Sequence, residues 1–128
     1  MFVVTVQAHY DSAHFLRHYQ GKCERMHGHR YVVEVALATE QLDAAGISFD
    51  FVDVKRELRL LAEYLDHQNL NELPPFDAIE PSAEEQARWF HGELKGKLPA
   101  AMAAGLVYVK VWETPTQFAL YSERQLWL

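Results

Sequence analysis

The sequence predicts an α+β fold with its elements in the order ββααββ. Three observations carry this: a period-two alternation of apolar residues at the start, two central stretches with apolar residues at three- and four-residue steps, and a return to β-branched and aromatic runs at the end. No repeat or low-complexity linker interrupts the 128 residues, which suffice for one domain over 1–128 and not for two ordinary ones. With 49% hydrophobic and 23% charged residues the composition is that of a globular chain with a real core.

Taken in order, Phe2, Val4, Val6, Ala8 and Tyr10 alternate with Val3, Thr5, Gln7, His9 and Asp11, so residues 2–13 form a strand whose first set is the better buried. His9 falls in the polar set and is a surface or interface histidine. Residues 30–38, rich in Val, Tyr and Ala, form the second strand. The connection between them, about 15 residues, is long for a hairpin, and loops of that length are commonly functional.

After the Ala45-Gly46 turn, Asp50 caps a helix start by accepting hydrogen bonds from free amides. Phe51, Val54, Leu58, Leu61 and Leu65 make its apolar face, while Lys55, Arg56, Glu57 and Arg59 take the solvated one. The helix delivers Asp66-His67 at its C-terminal end, where an imidazolium suits the dipole and the adjacent carboxylate can orient it. Pro74-Pro75 stops any continuation, and Ser82-x-x-Glu85 is a capping box that starts a second helix with Ala83, Ala87, Phe90 and Leu94 inward. His91 lies off that face and is expected to be exposed. Gly96 and Pro99 end the helix. Residues 106–112 and 118–122 are the third and fourth strands, separated by Glu113-Thr114-Pro115-Thr116.

The charge of −6 excludes a general nucleic-acid binder, which needs a surplus of Lys and Arg on one face. One cysteine cannot form an internal disulfide, and no charged segment followed by an apolar core opens the sequence. The apolar runs fall far short of a membrane span. The expected location is cytoplasmic.

The chemistry is concentrated in residues 14–29, HFLRHYQGKCERMHGH. His27 and His29 stand at i and i+2, which puts both on one face of an extended chain. A hairpin between the two strands places His14 next to His29. Three neutral imidazoles suit Zn²⁺, and three protein ligands plus an open fourth position is the arrangement of a catalytic zinc site. Cys23 either closes that site as a fourth ligand or stands free as a base. Arg17, Lys22, Arg25 and Arg30 make the segment locally positive, fit either for an anion or for plain solvation.

The pattern Ala13-His14, Gly21-Lys22-Cys23 and Cys-x-x-x-His-Gly-His followed by Arg30-Tyr31 resembles the zinc and nucleophile segment of the 6-pyruvoyltetrahydropterin synthase family. Further matches at Asp66-His67, Pro81-Ser82-Ala83-Glu84 and Trp112-Glu113-Thr114 extend the resemblance over nearly the whole chain. Glu-Thr-Pro-Thr and the short length are most similar to the bacterial 6-carboxytetrahydropterin synthases of queuosine biosynthesis.

The resemblance implies the T-fold, a four-stranded antiparallel sheet with both helices on one face. It also implies assembly of subunits into a closed barrel, a homohexamer or homotetramer with active sites at subunit interfaces. It implies that His14, His27 and His29 hold Zn²⁺, that Cys23 as thiolate is the base with Lys22 and Arg25 supplying positive charge, and that Asp66 and His67 share the proton traffic. Glu113 matches the pterin anchor. Ala83 stands where related sequences often carry a hydroxyl, and Ser82 or a backbone group takes its place; Tyr10 is the aromatic that opens the first motif. The activity implied is conversion of the pterin 7,8-dihydroneopterin triphosphate to 6-carboxy-5,6,7,8-tetrahydropterin with release of acetaldehyde and triphosphate. The alternatives are the pyruvoyl-forming elimination of triphosphate, a non-catalytic pterin- or zinc-binding T-fold module, and a structural zinc protein with Cys23 as fourth ligand.

Overall fold

A computed structural model describes residues 1–21 and 24–126. Strand β1 (Phe2–His14) pairs antiparallel with β2 (His27–Thr39) over its full length, from Phe2 opposite Thr39 to His14 opposite His27. Helix α1 (Phe51–Leu65) follows, then β3 (Gln68–Asn69), a 3₁₀ turn at Leu70–Glu72, helix α2 (Ala83–Lys97), the short α3 (Ala100–Ala104), and strands β4 (Leu106–Thr114) and β5 (Gln117–Tyr121). The sheet order is β3-β1-β2-β4-β5.

The four predicted strands and two long helices are present in the predicted order. β2 begins three residues earlier than expected, because the His-Gly-His segment is itself part of the ladder. Three small elements, β3, the 3₁₀ turn and α3, go beyond the expected ββααββ order. β3 joins the edge of β1 in parallel through Ser12–Gln68 and Ala13–Asn69, so the sheet is mixed. α3 leads into β4 through Gly105, where an added Cβ would lie 2.7 Å from the Ala38 carbonyl oxygen.

One face of the sheet carries the core. Val6 and Tyr10 of β1, Tyr31, Val33, Val35 and Leu37 of β2, and Val109 and Val111 of β4 are all buried, each strand contributing alternate residues. Val54, Leu58 and Leu65 of α1 and Ala87, Phe90 and Leu94 of α2 cover them in one continuous cluster, so both helices lie on that face. Asp50 accepts from the Val52 amide as expected, while of the expected capping box only the Ser82 half forms, its Oγ accepting from the Glu85 amide at 3.2 Å. Glu85 itself pairs with Arg88.

His91 departs from expectation. Its side chain is 3% exposed, with the ring edge-on to Tyr121 at 5.0 Å and Nδ1 3.4 Å from Glu123. β5 and the residues after it fold back over α2 and bury a helical position that periodicity alone assigns to solvent. His9 is exposed, as expected.

Burial lowers the His91 pKa, Glu123 acting against this and Lys95 reinforcing it. A histidine whose folded pKa is depressed stabilises the fold above its unfolded value of about 6.5, and that contribution is lost as pH falls through the folded value. Between about pH 7.5 and 5 the melting temperature of the metal-free protein should therefore fall further than that of His91→Phe, which keeps the ring against Tyr121. Equal slopes would show that His91 is not held neutral by the fold.

Candidate metal and pterin site

The inward row of β2 does not end with its apolar residues. Continuing back from Leu37, Val35, Val33 and Tyr31 along the same face, the next two positions are His29 and His27. On β1 the row Val6, Ala8, Tyr10 continues into Ser12 and His14. The histidines therefore sit at the end of the core, beyond the reach of α1. The register puts His14 opposite His27, and His29 opposite Ser12. This corrects the expectation that His14 is next to His29, which assumed a shorter β2.

The three imidazoles nonetheless converge. Ring centroids lie 4.5 Å apart for His14 and His27, 4.9 Å for His27 and His29, and 5.7 Å for His14 and His29. One nitrogen from each falls within 4.8 Å of the others. His14 is buried, and the other two are half-buried.

Their protonation follows from their partners. His14 Nδ1 lies 2.6 Å from the Pro81 carbonyl and His27 Nδ1 2.7 Å from the Arg25 carbonyl. A carbonyl only accepts, so both Nδ1 atoms carry the proton and donate it. That leaves both Nε2 atoms as lone pairs if the rings are neutral, and these two atoms face each other at 2.9 Å. Burial, the largest influence on His14, lowers its pKa, which disfavours a shared proton as the remedy. A cation between the rings satisfies both lone pairs at once, with His29 in reach as a third ligand. An outward Nδ1–H bond fixing an inward Nε2 lone pair is the usual support of a metal-binding histidine, and the three residues fit a divalent ion.

Glu113 ends the inward row of β4 after Val109 and Val111, and its carboxylate is 3.9 Å from His29 Nε2. It is half-buried and near enough to Tyr10 to add to the upward push that burial gives the phenol, and Tyr10 stacks on Tyr31 with ring centroids 5.0 Å apart. A carboxylate beside a metal-fit site and an aromatic floor can receive paired N–H groups from a flat heterocycle.

Asp66 and His67 occupy a different place. Asp66 caps α1; its Oδ1 accepts the Asp11 amide at 2.8 Å and its Oδ2 is 2.8 Å from His67 Nδ1. His67 adopts the left-handed region at φ 57°, uncommon for a residue with a Cβ, and its amide donates to the Asp11 carbonyl at 2.6 Å. Its ring is 79% exposed and lines, with Asp11, Ala13, Gly28 and Arg30, an open depression of about 500 Å³. Those four are outward-facing positions, although Ser12 and His29 of the inward row also border the depression, so within one chain the Asp-His pair opens on the outer face of the β1–β2 ribbon while the three imidazoles converge on the inner one. The Asp11 and Asp66 carboxyls are both held below the ordinary range, the first chiefly by its hydrogen bond from Arg30, the second by the Asp11 amide and then His67.

Cys23 and Lys22 lie outside the described residues. Arg25 contributes its carbonyl to His27, and its side chain is exposed. Ser82 Oγ is engaged as the α2 cap and retains a proton to donate. Two of the four cations singled out in the sequence are occupied within the chain. Arg17 donates to the carbonyls of Ile79, Asn71 and Phe76 and lies 3.6 Å from Glu80, while Arg30 forms a two-pronged pair with Asp11 at 2.9 Å. Arg17 thus pins the start of the Cys23 loop, helped by Asn71, which clamps the Phe15 amide and carbonyl. Sequence reasoning missed Asn71 and Gln86. For Gln86 the signal was present: a polar residue three positions after Ala83, on the apolar face of α2.

The family model described as 6-pyruvoyl tetrahydropterin synthase matches residues 3–124. The chain belongs to the 6-pyruvoyl tetrahydropterin synthase family. Among its relatives, a protein of Synechocystis sp. named 6-carboxy-5,6,7,8-tetrahydropterin synthase is 33% identical over 98% of this chain and 97% of its own. The Bacillus subtilis protein of the same name is 29% identical over 97% and 87%. The solved structure of Caenorhabditis elegans 6-pyruvoyl tetrahydropterin synthase superposes with a TM-score of 0.84 at 27% identity, covering 97% of this chain and 98% of that one. The α+β T-fold of the family is therefore the fold of this chain, with β3, the 3₁₀ turn and α3 as additions to the expected plan.

If the three histidines hold one ion, titration with Zn²⁺ should saturate at about one equivalent per chain, the expectation for a three-ligand site. Free metal at about 100 times its Kd should add about 2.7 kcal/mol of stability. His14→Ala should lose both effects, and a variant that still takes up one equivalent with unchanged affinity would remove His14 from the ligand set.

Proposed function

We propose that this chain is a zinc-dependent carbon-carbon lyase that converts 7,8-dihydroneopterin triphosphate to 6-carboxy-5,6,7,8-tetrahydropterin, releasing acetaldehyde and triphosphate, in queuosine biosynthesis. The observation that carries the reading is the convergence of the histidine lone pairs beside Glu113, in a chain with relatives of that name along its full length. The C. elegans neighbour supports the pyruvoyl-forming elimination as the alternative product.

In this reading His14, His27 and His29 hold Zn²⁺ through neutral nitrogens. The ion supplies Lewis acidity toward the side-chain hydroxyls of the substrate and the protons next to them. Glu113 accepts hydrogen bonds from the amino group and ring N–H of the pterin, which sets the heterocycle in register with the metal. Ser82 adds a hydroxyl donor from the start of α2. Cys23 is the base; its thiolate requires neighbouring positive charge, for which Lys22 and Arg25 are the candidates.

Asp66 orients His67 by its 2.8 Å contact with Nδ1, leaving Nε2 to exchange a proton with substrate. Because that pair lies on the outer face of the ribbon, it serves the site of a neighbouring chain. The enzyme is accordingly a homohexamer or homotetramer with sites between subunits, acting in the cytoplasm. No described helix is long and apolar enough to cross a membrane.

Incubation with 7,8-dihydroneopterin triphosphate and identification of the products by mass tests the assignment directly: a carboxylated tetrahydropterin together with acetaldehyde is expected, and a pyruvoyl product would move the chain to the alternative. Cys23→Ser should lose most turnover while still binding pterin, since a serine hydroxyl is seldom ionised. Unchanged turnover would exclude Cys23 as the base.

A second expectation concerns Glu113. Glu113→Gln leaves a ring N–H facing an amide N–H, a mismatch of about 1–3 kcal/mol or roughly ten- to a hundredfold in pterin affinity, with zinc content unchanged. Full affinity would remove Glu113 as the anchor.

A further inference from the structure

Behind the inward-facing histidine nitrogens lies a ring of three buried hydrogen bonds, closed through the backbone of β1, that the activity does not account for. Gln86 on the first turn of α2 is fully buried, as is Tyr10 on β1. Gln86 Nε2 is 2.9 Å from the Pro81 carbonyl, the same oxygen that receives His14 Nδ1–H, and Gln86 Oε1 is 2.6 Å from the Tyr10 hydroxyl.

The polarity of each bond is determined. The Pro81 carbonyl only accepts, so the NH₂ end of Gln86 faces it and the oxygen end faces Tyr10, whose hydroxyl must donate. Tyr10 and His14 stand on the same face of β1, four residues apart, so the path from His14 through Pro81, Gln86 and Tyr10 returns to its own strand. Pro81 lies just outside α2, so the helix ladder does not restrain its carbonyl. Gln86 is the side chain that does.

We infer that Gln86, braced by Tyr10, is a positioning residue for the metal centre: it holds the Pro81 carbonyl where it fixes the ring orientation and tautomer of His14. The inference rests on the reading of His14, His27 and His29 as metal ligands. Its chemistry is that of an outer-shell partner, whose loss typically costs 10–100-fold in metal affinity.

Zinc affinity measured by competition with a chromophoric chelator, the visible spectrum of the Co²⁺-substituted protein, and the melting temperature of the metal-free protein test this together. Gln86→Leu should weaken zinc binding by roughly ten- to a hundredfold and alter the Co²⁺ bands. It should also lower the melting temperature, because the Tyr10 hydroxyl is left buried without its acceptor. The double variant Tyr10→Phe with Gln86→Leu removes both polar partners, so its melting temperature should return toward that of the wild type. Its zinc affinity and Co²⁺ spectrum should remain altered, since the Pro81 carbonyl is still unbraced.

A double variant that regains both stability and wild-type metal binding would reduce the ring to a structural role and overturn the inference, as would Gln86→Leu with unchanged affinity and spectrum. Wild-type protein that binds no zinc overturns the metal reading and this inference with it, whereas tight wild-type binding unaffected by Gln86 overturns the inference alone.

Discussion

The register between β1 and β2 is the constraint on which the rest of the molecule depends. A strand's side chains alternate between faces, so a slip by one residue would turn Tyr31, Val33, Val35 and Leu37 to solvent and carry His27 and His29 with them to the wrong side. Exposing three aliphatic side chains of this kind costs about 1.5–3 kcal/mol each, together comparable to the whole net stability of a small domain. The core therefore holds the register, and the site histidines inherit their positions from it. The rows place the histidines, and the loop carbonyls of Pro81 and Arg25 orient the rings of His14 and His27.

Where the two helices stop covering the sheet, its inner face changes from Tyr and Val to His, Ser and Glu. Burial lowers the pKa of His14 and of His29, and backbone carbonyls dictate which nitrogen of His14 and His27 faces inward, so the desolvation that stabilises the core also helps to organise the site. The outer face follows another logic. Asp11 there is tied by Arg30 through its side chain and by Asp66 and His67 through its backbone, which joins the end of α1 to the edge of the sheet. The bridging pair β3–β1 and the Ser12 hydroxyl, donating to the Leu65 carbonyl, complete that joint.

Much of this was legible in the sequence, for identifiable reasons. Period-two alternation located β1, and Asp50 and Ser82 as caps marked where the two long helices begin, whereas α2 runs through the expected stop at Gly96 to Lys97 and ends just before Pro99. His27 and His29 shared a face because i and i+2 always do in a strand. Tertiary facts were not legible. The pairing of His14 with His27 depended on three additional residues of β2, and His91 was buried by a segment thirty residues distant in sequence. Arg17 and Arg30 looked like anion ligands only because their carbonyl and carboxylate partners, Phe76 and Asp11 among them, are brought to them by folding. The face on which Asp66 and His67 emerge was equally invisible, since it is set by how α1 meets the sheet edge.

Zinc K-edge X-ray absorption on the zinc-loaded protein tests the central claim most directly, because it counts the ligands and separates nitrogen from sulfur. Three imidazole nitrogens at about 2.0–2.1 Å with oxygen in the remaining position are expected. A sulfur shell at about 2.3 Å would make Cys23 a fourth ligand and the site a closed, structural one, contradicting the open centre on which the proposed chemistry depends.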